Sequence, residues 1–110
     1  MLEFSDFCKG LSSYSFSEID EAKSCAQELV KQNLAGCVNV ITGVTSMYQW
    51  EGELKEDGEC LLVIKTTQSN YKNVETFLKA HHSYDVPEII AVPITKGSEA
   101  YLNWLENNVL

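Results

Sequence analysis

Basic residues are scarce in this chain of 110 residues: eight lysines and arginines stand against sixteen aspartates and glutamates, a formal net charge of -8. A surface of that sign repels phosphate backbones and lacks the electrostatic term that supplies most nucleic-acid affinity, so nucleic acid is excluded as a partner. Long apolar runs are missing as well. None approaches the roughly 18 residues of a membrane-spanning helix, which excludes insertion through helices. The four cysteines, at positions 8, 25, 37 and 60, contain no Cys-x-x-Cys spacing. That removes a zinc frame and leaves free thiols in a reducing compartment as the default. The opening Met1-Leu-Glu-Phe-Ser-Asp carries acids where a secretory leader carries bases, so a cytoplasmic location is expected. No nucleophile with its base and no phosphate-cradling glycine loop is present, and the chain is expected not to be an enzyme.

What is present is an ordinary globular composition, 45% hydrophobic and 22% charged. It predicts one domain over 1–110, with residues 1–9 a flexible N-terminus. The loosely alternating Gly10-Leu-Ser-Ser-Tyr-Ser-Phe16 is read as a short first strand. Ser17 is placed as an N-cap ahead of acids that suit a helix's positive end. Ile19, Ala22, Ala26, Leu29 and Val30 then recur at helical spacing to about Asn33. Cys37-Val-Asn-Val-Ile41 and Val44 to Trp50 are strand-like and separated by Gly43, which predicts one strand with a bulge at Thr42-Gly43. A turn at Glu51-Gly52 and the apolar run Leu61 to Ile64 complete a hairpin over residues 37–67. The second helix runs from an N-cap at Ser69 to the histidines, with Val74, Phe77, Leu78 and His81 on one face. Pro87 forces the chain to extend after it. Ile89 to Ile94 is a strand whose Pro93 cannot donate to a ladder, so this strand is assigned to an edge. Ser98 opens a terminal helix with Tyr101, Leu102 and Leu105 inward.

The order is α+β: a ferredoxin-like βαββαβ sandwich followed by a C-terminal helix. A limb of fourteen residues spans roughly 45 Å, whereas a domain of this length is about 35 Å across. The hairpin must therefore overhang its own domain, and Met47, Tyr48 and Trp50 on that overhang are expected to be covered by another subunit.

The stretches Ala35-Gly-Cys-Val-Asn-Val-Ile-Thr-Gly-Val-Thr-Ser-Met-Tyr-Gln-Trp-Glu-Gly-Glu53, Leu62-Val-Ile-Lys-Thr66, His82-Ser-Tyr-Asp-Val-Pro-Glu-Ile-Ile90 and Tyr101-Leu-Asn-Trp-Leu105 closely resemble the CutA family, the divalent-cation tolerance proteins. The resemblance implies a homotrimer joined through the long hairpins, similar in architecture to the nitrogen-regulatory PII proteins, and a link to copper and other divalent metals. It departs in three places: the first strand is more polar, Tyr14 stands where some bacterial members carry a copper-associated cysteine, and Ser83 replaces a proline.

Two constellations follow. His81 and His82 match histidines associated with copper in bacterial relatives, and imidazole suits Cu(II). Neighbours on a regular helix point about 100° apart, so the pair reaches one ion only if the helix unwinds or another subunit adds a ligand. The plain alternative is that His81 extends the apolar face beyond Phe77 while His82 faces solvent. Trp50, Lys65, His82, Tyr84 and Glu88 form the second set. With Trp50 supplied by a neighbour, they would line an intersubunit cleft for a small anionic or metal-bound ligand. The alternative is an interface network pairing Glu88 with Lys65. The readings are thus a copper or divalent-cation binding tolerance trimer, a PII-like regulatory trimer with a small-molecule cleft, and a structural scaffold or anchor.

Overall fold

The structure is a computed structural model that describes residues 4–11, 16–81 and 89–110. Its elements run β1 (Phe4–Leu11), α1 (Phe16–Lys31), β2 (Cys37–Trp50), β3 (Glu53–Thr66), α2 (Tyr71–His81), β4 (Ile89–Pro93) and α3 (Glu99–Asn107), with a short 3-10 turn at Gln68–Asn70. The sheet order is β2-β3-β1-β4, every neighbouring pair antiparallel. This is the ferredoxin-like arrangement expected. Pro93 lies in an edge strand, where its missing N–H costs no ladder bond.

The first strand is a correction. It spans Phe4–Leu11 and not Gly10 to Phe16; Phe16 already begins α1, and Ser17 sits inside that helix rather than capping it. β1 pairs β3 from Phe4↔Thr66 to Cys8↔Leu62 on one side and β4 from Phe4↔Pro93 to Cys8↔Ile89 on the other. Long-range ladders on both sides place it, and local alternation did not reveal them. Its register slips at Gly10, between Lys9↔Leu61 and Leu11↔Cys60, a position where a residue without Cβ is easily accommodated.

One face of the sheet is the core. Val38 and Val40 of β2 lie opposite Ile64 and Leu62 of β3, and the α1 residues Ala22, Ala26 and Leu29 pack there with Val74 and Leu78 of α2. Val30, expected with them, is exposed. Helix α1 closes on Asn33 in the left-handed region (φ 57°), with Leu34 N–H donating to Leu29 O at 3.0 Å. Asparagine tolerates that conformation better than other residues with a Cβ. The chain then descends through Ala35 and Gly36 into β2, and buried Thr66 donates its hydroxyl to Leu34 O at 2.6 Å. Helix α3 is capped by Ser98, whose Oγ accepts from Tyr101 N–H. It inserts Leu105, fully buried, against Gly36. Tyr101 does not point inward as expected. It is 40% exposed and stacked on Trp104, 47% exposed, at 5.8 Å between centroids, because Leu105 alone fills the space over Gly36.

The hairpin β2–β3 turns at Glu51 (φ 52°) and Gly52 (φ 80°), both left-handed as a two-residue hairpin turn demands. The molecule measures 45 × 26 × 23 Å along its principal axes, and the long dimension matches the length of one hairpin limb. No described helix is long and apolar enough to cross a membrane.

Candidate functional site

The hairpin's outer half is governed by its bulge. Ile41 faces Leu61 and Val44 faces Glu59, so Thr42 and Gly43 (φ 75°) together oppose Cys60. One extra residue reverses the alternation of β2 beyond that point. Val44, Ser46, Tyr48 and Trp50 therefore share the sheet face that carries Ile41, Leu61 and Val63, away from the helices. Thr45, Met47 and Gln49 turn to the helix side. The side chains agree: Ser46 Oγ donates to Glu59 Oε2 at 2.8 Å, and Tyr48 OH donates to Asp57 Oδ2. Bonding to the Asp57 carboxylate holds the Tyr48 hydroxyl above its ordinary pKa, since the phenolate would lose that bond and meet a like charge.

Met47, Tyr48 and Trp50 were expected as one apolar interface, and strand alternation divides them, the bulge setting which side each takes. Trp50 (58% exposed) and Tyr48 lie on one face; Met47 (67%) lies on the other, diagonal to Leu54 (76%). Leu54 was not singled out from the sequence, although its alternation with Glu53 and Lys55 was visible there. The helix-free face of the sheet also exposes Ile41, Ile90 and Val92. An apolar spread of this kind on two sides of a projecting limb is more than single scattered surface residues.

His81 ends α2 and is solvent-exposed. Its ring stacks on Phe77 with centroids 4.1 Å apart and planes at 20°, and its Nδ1 lies 2.8 Å from Phe77 O. The histidine thus extends the Phe77 face while remaining open to solvent. His82, Tyr84 and Glu88, named with it from the sequence, lie outside the described residues. Lys65 is half-buried near the hairpin base, opposite Cys37, whereas Trp50 is at the tip opposite Glu53. Thirteen residues of extended strand, roughly 43 Å, separate Lys65's level from Trp50. A single chain does not bring these two members of the cleft together.

Among the described residues no three His, Cys, Asp or Glu groups cluster as a metal site. Cys25, Cys37 and Cys60 are reduced, and burial pushes the Cys25 thiol up to about 11. A thiol so protonated is a small core group rather than a ligand.

The protein so defined is an α+β domain with a projecting hairpin and an exposed histidine at a helix end. The family described as CutA1 divalent ion tolerance protein matches residues 11–108, and the chain belongs to it. The Thermus thermophilus divalent-cation tolerance protein CutA is 47% identical over 87 residues, 79% of this chain and 84% of that one. A solved divalent cation tolerance protein from Thermus thermophilus superposes with a TM-score of 0.87 at 39% identity, over 99% of this chain and 100% of that one. Protein CutA, chloroplastic, of Arabidopsis thaliana is 47% identical over 89 residues, 81% of this chain. The match spans only about half, 49%, of that plant protein's length. At the level of fold alone, the PII-like protein CutA from Nostoc sp. PCC 7120 superposes with a TM-score of 0.84 at 18% identity, over 97% of each chain.

Proposed function

We propose that this chain forms a homotrimer that binds a divalent cation, Cu(II) foremost, and contributes to divalent-cation tolerance. The observation that carries the assembly is the hairpin's exposed apolar surface on both faces, Trp50 and Tyr48 on one side and Met47 with Leu54 on the other. A two-fold contact covers one face of each limb. A limb with two apolar faces needs two neighbours, which a closed ring of three provides. Light scattering should give a species of about three times 12.3 kDa; a folded monomer at micromolar concentration would refute it.

The metal reading rests on His81. The donor is of the right kind: its Nδ1 is engaged by a carbonyl, which leaves the other ring nitrogen to face solvent. Imidazole nitrogen favours Cu(II) over the hard cations Mg(II) and Ca(II). The described residues of one chain supply only this ligand, so further donors, His82 among them, complete the site. The test is Cu(II) titration of the wild type against the His81→Ala, His82→Ala double variant. Equal binding by both moves the site to the hairpin carboxylates.

A second reading is favoured by the separation of Trp50 from Lys65. If a neighbour's hairpin tip reaches the base of this one, Trp50 closes a cleft over Lys65, His82, Tyr84 and Glu88, as a PII-like regulatory trimer with a small ligand would require. Native mass spectrometry of the purified trimer separates this reading, through a co-purified small molecule, from the bare scaffold. Both readings describe a binding protein and not an enzyme, as membership of a tolerance family supports. The cytoplasm is its proposed compartment, where cysteines without Cys-x-x-Cys spacing stay free thiols.

A further inference from the structure

We infer that Asp57 is a site of spontaneous chemical modification, conversion to isoaspartate through Gly58, and that Tyr48 is the positioning residue that holds the reaction back. Asp57-Gly58 is the only Asp-Gly pair in the sequence; the other aspartates precede Phe7, Glu21 and Val86, and no asparagine precedes a glycine. In such a pair the amide nitrogen of Gly58 attacks Asp57 Cγ. The N–Cγ bond forms, the Cγ–O bond breaks, and a carboxyl oxygen leaves as water with the amide proton and a carboxyl proton, closing a succinimide ring. Water then adds at the former main-chain carbonyl of Asp57 and breaks its bond to the nitrogen. The main chain now runs through Cβ and Cγ, and the old carbonyl carbon is a free carboxylate. The water lost is regained, and no oxidant, reductant or other reactant takes part. Glycine permits the attack because it puts no Cβ beside the nitrogen and turns readily.

The fold restrains this pair without enclosing it in a full sheet. Asp57 stands opposite Ser46 and Gly58 opposite Thr45 in the β2–β3 ladder. The β1 ladder on the other side of β3 ends at Leu11↔Cys60, so among the described residues 53–59 pair with β2 alone. A two-stranded ribbon is marginal by itself, and opening it costs less than unfolding the body. Ring closure makes two demands. The Asp57–Gly58 peptide must leave the extended conformation, ψ about +135° in an antiparallel strand, which the ladder and the burial of Gly58 oppose. The carboxyl must also turn onto its own main chain. Tyr48 opposes that turn, since its hydroxyl on the neighbouring strand donates to Asp57 Oδ2. Conversion adds a methylene carbon to the main chain of β3 and none to β2. The pairs toward the tip, Met47↔Glu56 to Trp50↔Glu53, then lose their alignment with the base of the hairpin, a slow and one-way change in the surface that carries Tyr48 and Trp50.

The experiment ages the full chain at micromolar concentration and neutral pH, then maps it with trypsin. Cleavage after Lys55 and Lys65 releases a peptide in which Asp57 is the only aspartate, and its isoaspartyl form separates by chromatography at unchanged mass. Isoaspartate should accumulate at 57 in the folded wild type, more slowly than in the same chain unfolded in urea. A folded chain that forms none while the unfolded chain converts overturns the inference, and so does a folded chain that converts as fast as the unfolded one. Tyr48→Phe keeps the ring and removes the hydroxyl. It should raise the folded rate about 2-fold to 10-fold, the weight of one net hydrogen bond, and leave the unfolded rate unchanged. Amide hydrogen exchange at Gly58 separates the restraint on the carboxyl from a general loosening of the limb: isomerisation should rise by more than exchange does. An unchanged folded rate, or equal rises in both, removes Tyr48 as the positioning residue. If that variant does not fold, the wild-type chain decides alone. Its Gly58 N–H should exchange faster than its Ile64 N–H, and equal protection, meaning that the limb opens only with the whole body, overturns the inference.

Discussion

Replacing Gly36 by alanine tests how α3 is held to the body. A Cβ at Gly36 falls 2.3 Å from Leu105 Cδ1 and 3.5 Å from both Leu105 Cγ and Leu105 O. The methyl it strikes is the end of a side chain, but that side chain is fully buried. Gly36 N–H also donates to Lys65 O at 3.0 Å, which pins the backbone from the other side. Relief therefore requires α3 to lift or Leu105 to leave its rotamer, at a cost of about 1–3 kcal/mol for an overpacked site. Against this, alanine loses less backbone entropy on folding than glycine, an offset of about 0.4–1 kcal/mol. A net loss of about 1–2 kcal/mol in urea unfolding is expected, measured at equal protomer concentration because assembly contributes to stability. Leu105→Ala alone should cost about 2–5 kcal/mol. In that background the clash is gone, so Gly36→Ala should become neutral or slightly stabilising. Strict additivity of the two changes would refute the reasoning, since it would mean that Leu105 and Gly36 do not compete for the same volume.

Trp50→Glu should dissociate the assembly at micromolar concentration, a loss of about 2–4 kcal/mol at a central aromatic contact, read by light scattering. Glu51→Gly should raise stability in urea unfolding by about 0.5–1 kcal/mol, because a glutamate at φ 52° stores strain that glycine does not. Deleting residues 1–11 should leave an unfolded or aggregated chain by circular dichroism, since β1 lies between β3 and β4 and is the strand that ties β4 into the sheet. Cys25 should resist alkylation in the folded state, and its contribution to stability has a defined sign. The folded thiol, at about 11 against an ordinary 9.0, binds its proton more tightly than the unfolded one. The stabilisation is therefore present below about pH 9 and is lost as the pH rises toward 11. Stability curves that are flat across that window in wild type and Cys25→Ala alike would rule it out.

The hairpin was legible in the sequence because its signals are local: β-branched alternation, Gly43 at the bulge, and Glu51-Gly52 with a glycine where φ is positive. The edge position of β4 was legible for the same reason, through Pro93. β1 was not. Its residues Phe4-Ser-Asp-Phe-Cys-Lys-Gly-Leu11 mix an acid, a base and a glycine into a central strand, and only pairing with distant β3 and β4 selects them. Tyr101 was misplaced because helical spacing shows which residues share a face but not which of them meets a glycine across the gap. At the candidate site, His81 at the end of α2 followed from Pro87. Its engagement with the Phe77 carbonyl depends on a rotamer, which spacing does not report. Lys65 and Trp50 were grouped across subunits, with Trp50 expected from a neighbouring hairpin, and strand length separates the two within one chain.

The bulge at Thr42-Gly43 holds one residue of β2 in reserve. Two residues stand opposite Cys60 where a regular ladder needs one. Removing either Thr42 or Gly43 would leave the other opposite Cys60 and the ladder closed, with Val44 still opposite Glu59 and Met47, Tyr48 and Trp50 each on the side it now takes. Removing one residue farther out, between Val44 and Trp50, would consume the bulge instead and invert only the side chains between the bulge and the deletion, while those beyond it keep their partners on β3. In a collection of hairpin variants, single-residue deletions at Thr42 or Gly43 should therefore be better tolerated than single-residue deletions elsewhere along the limb.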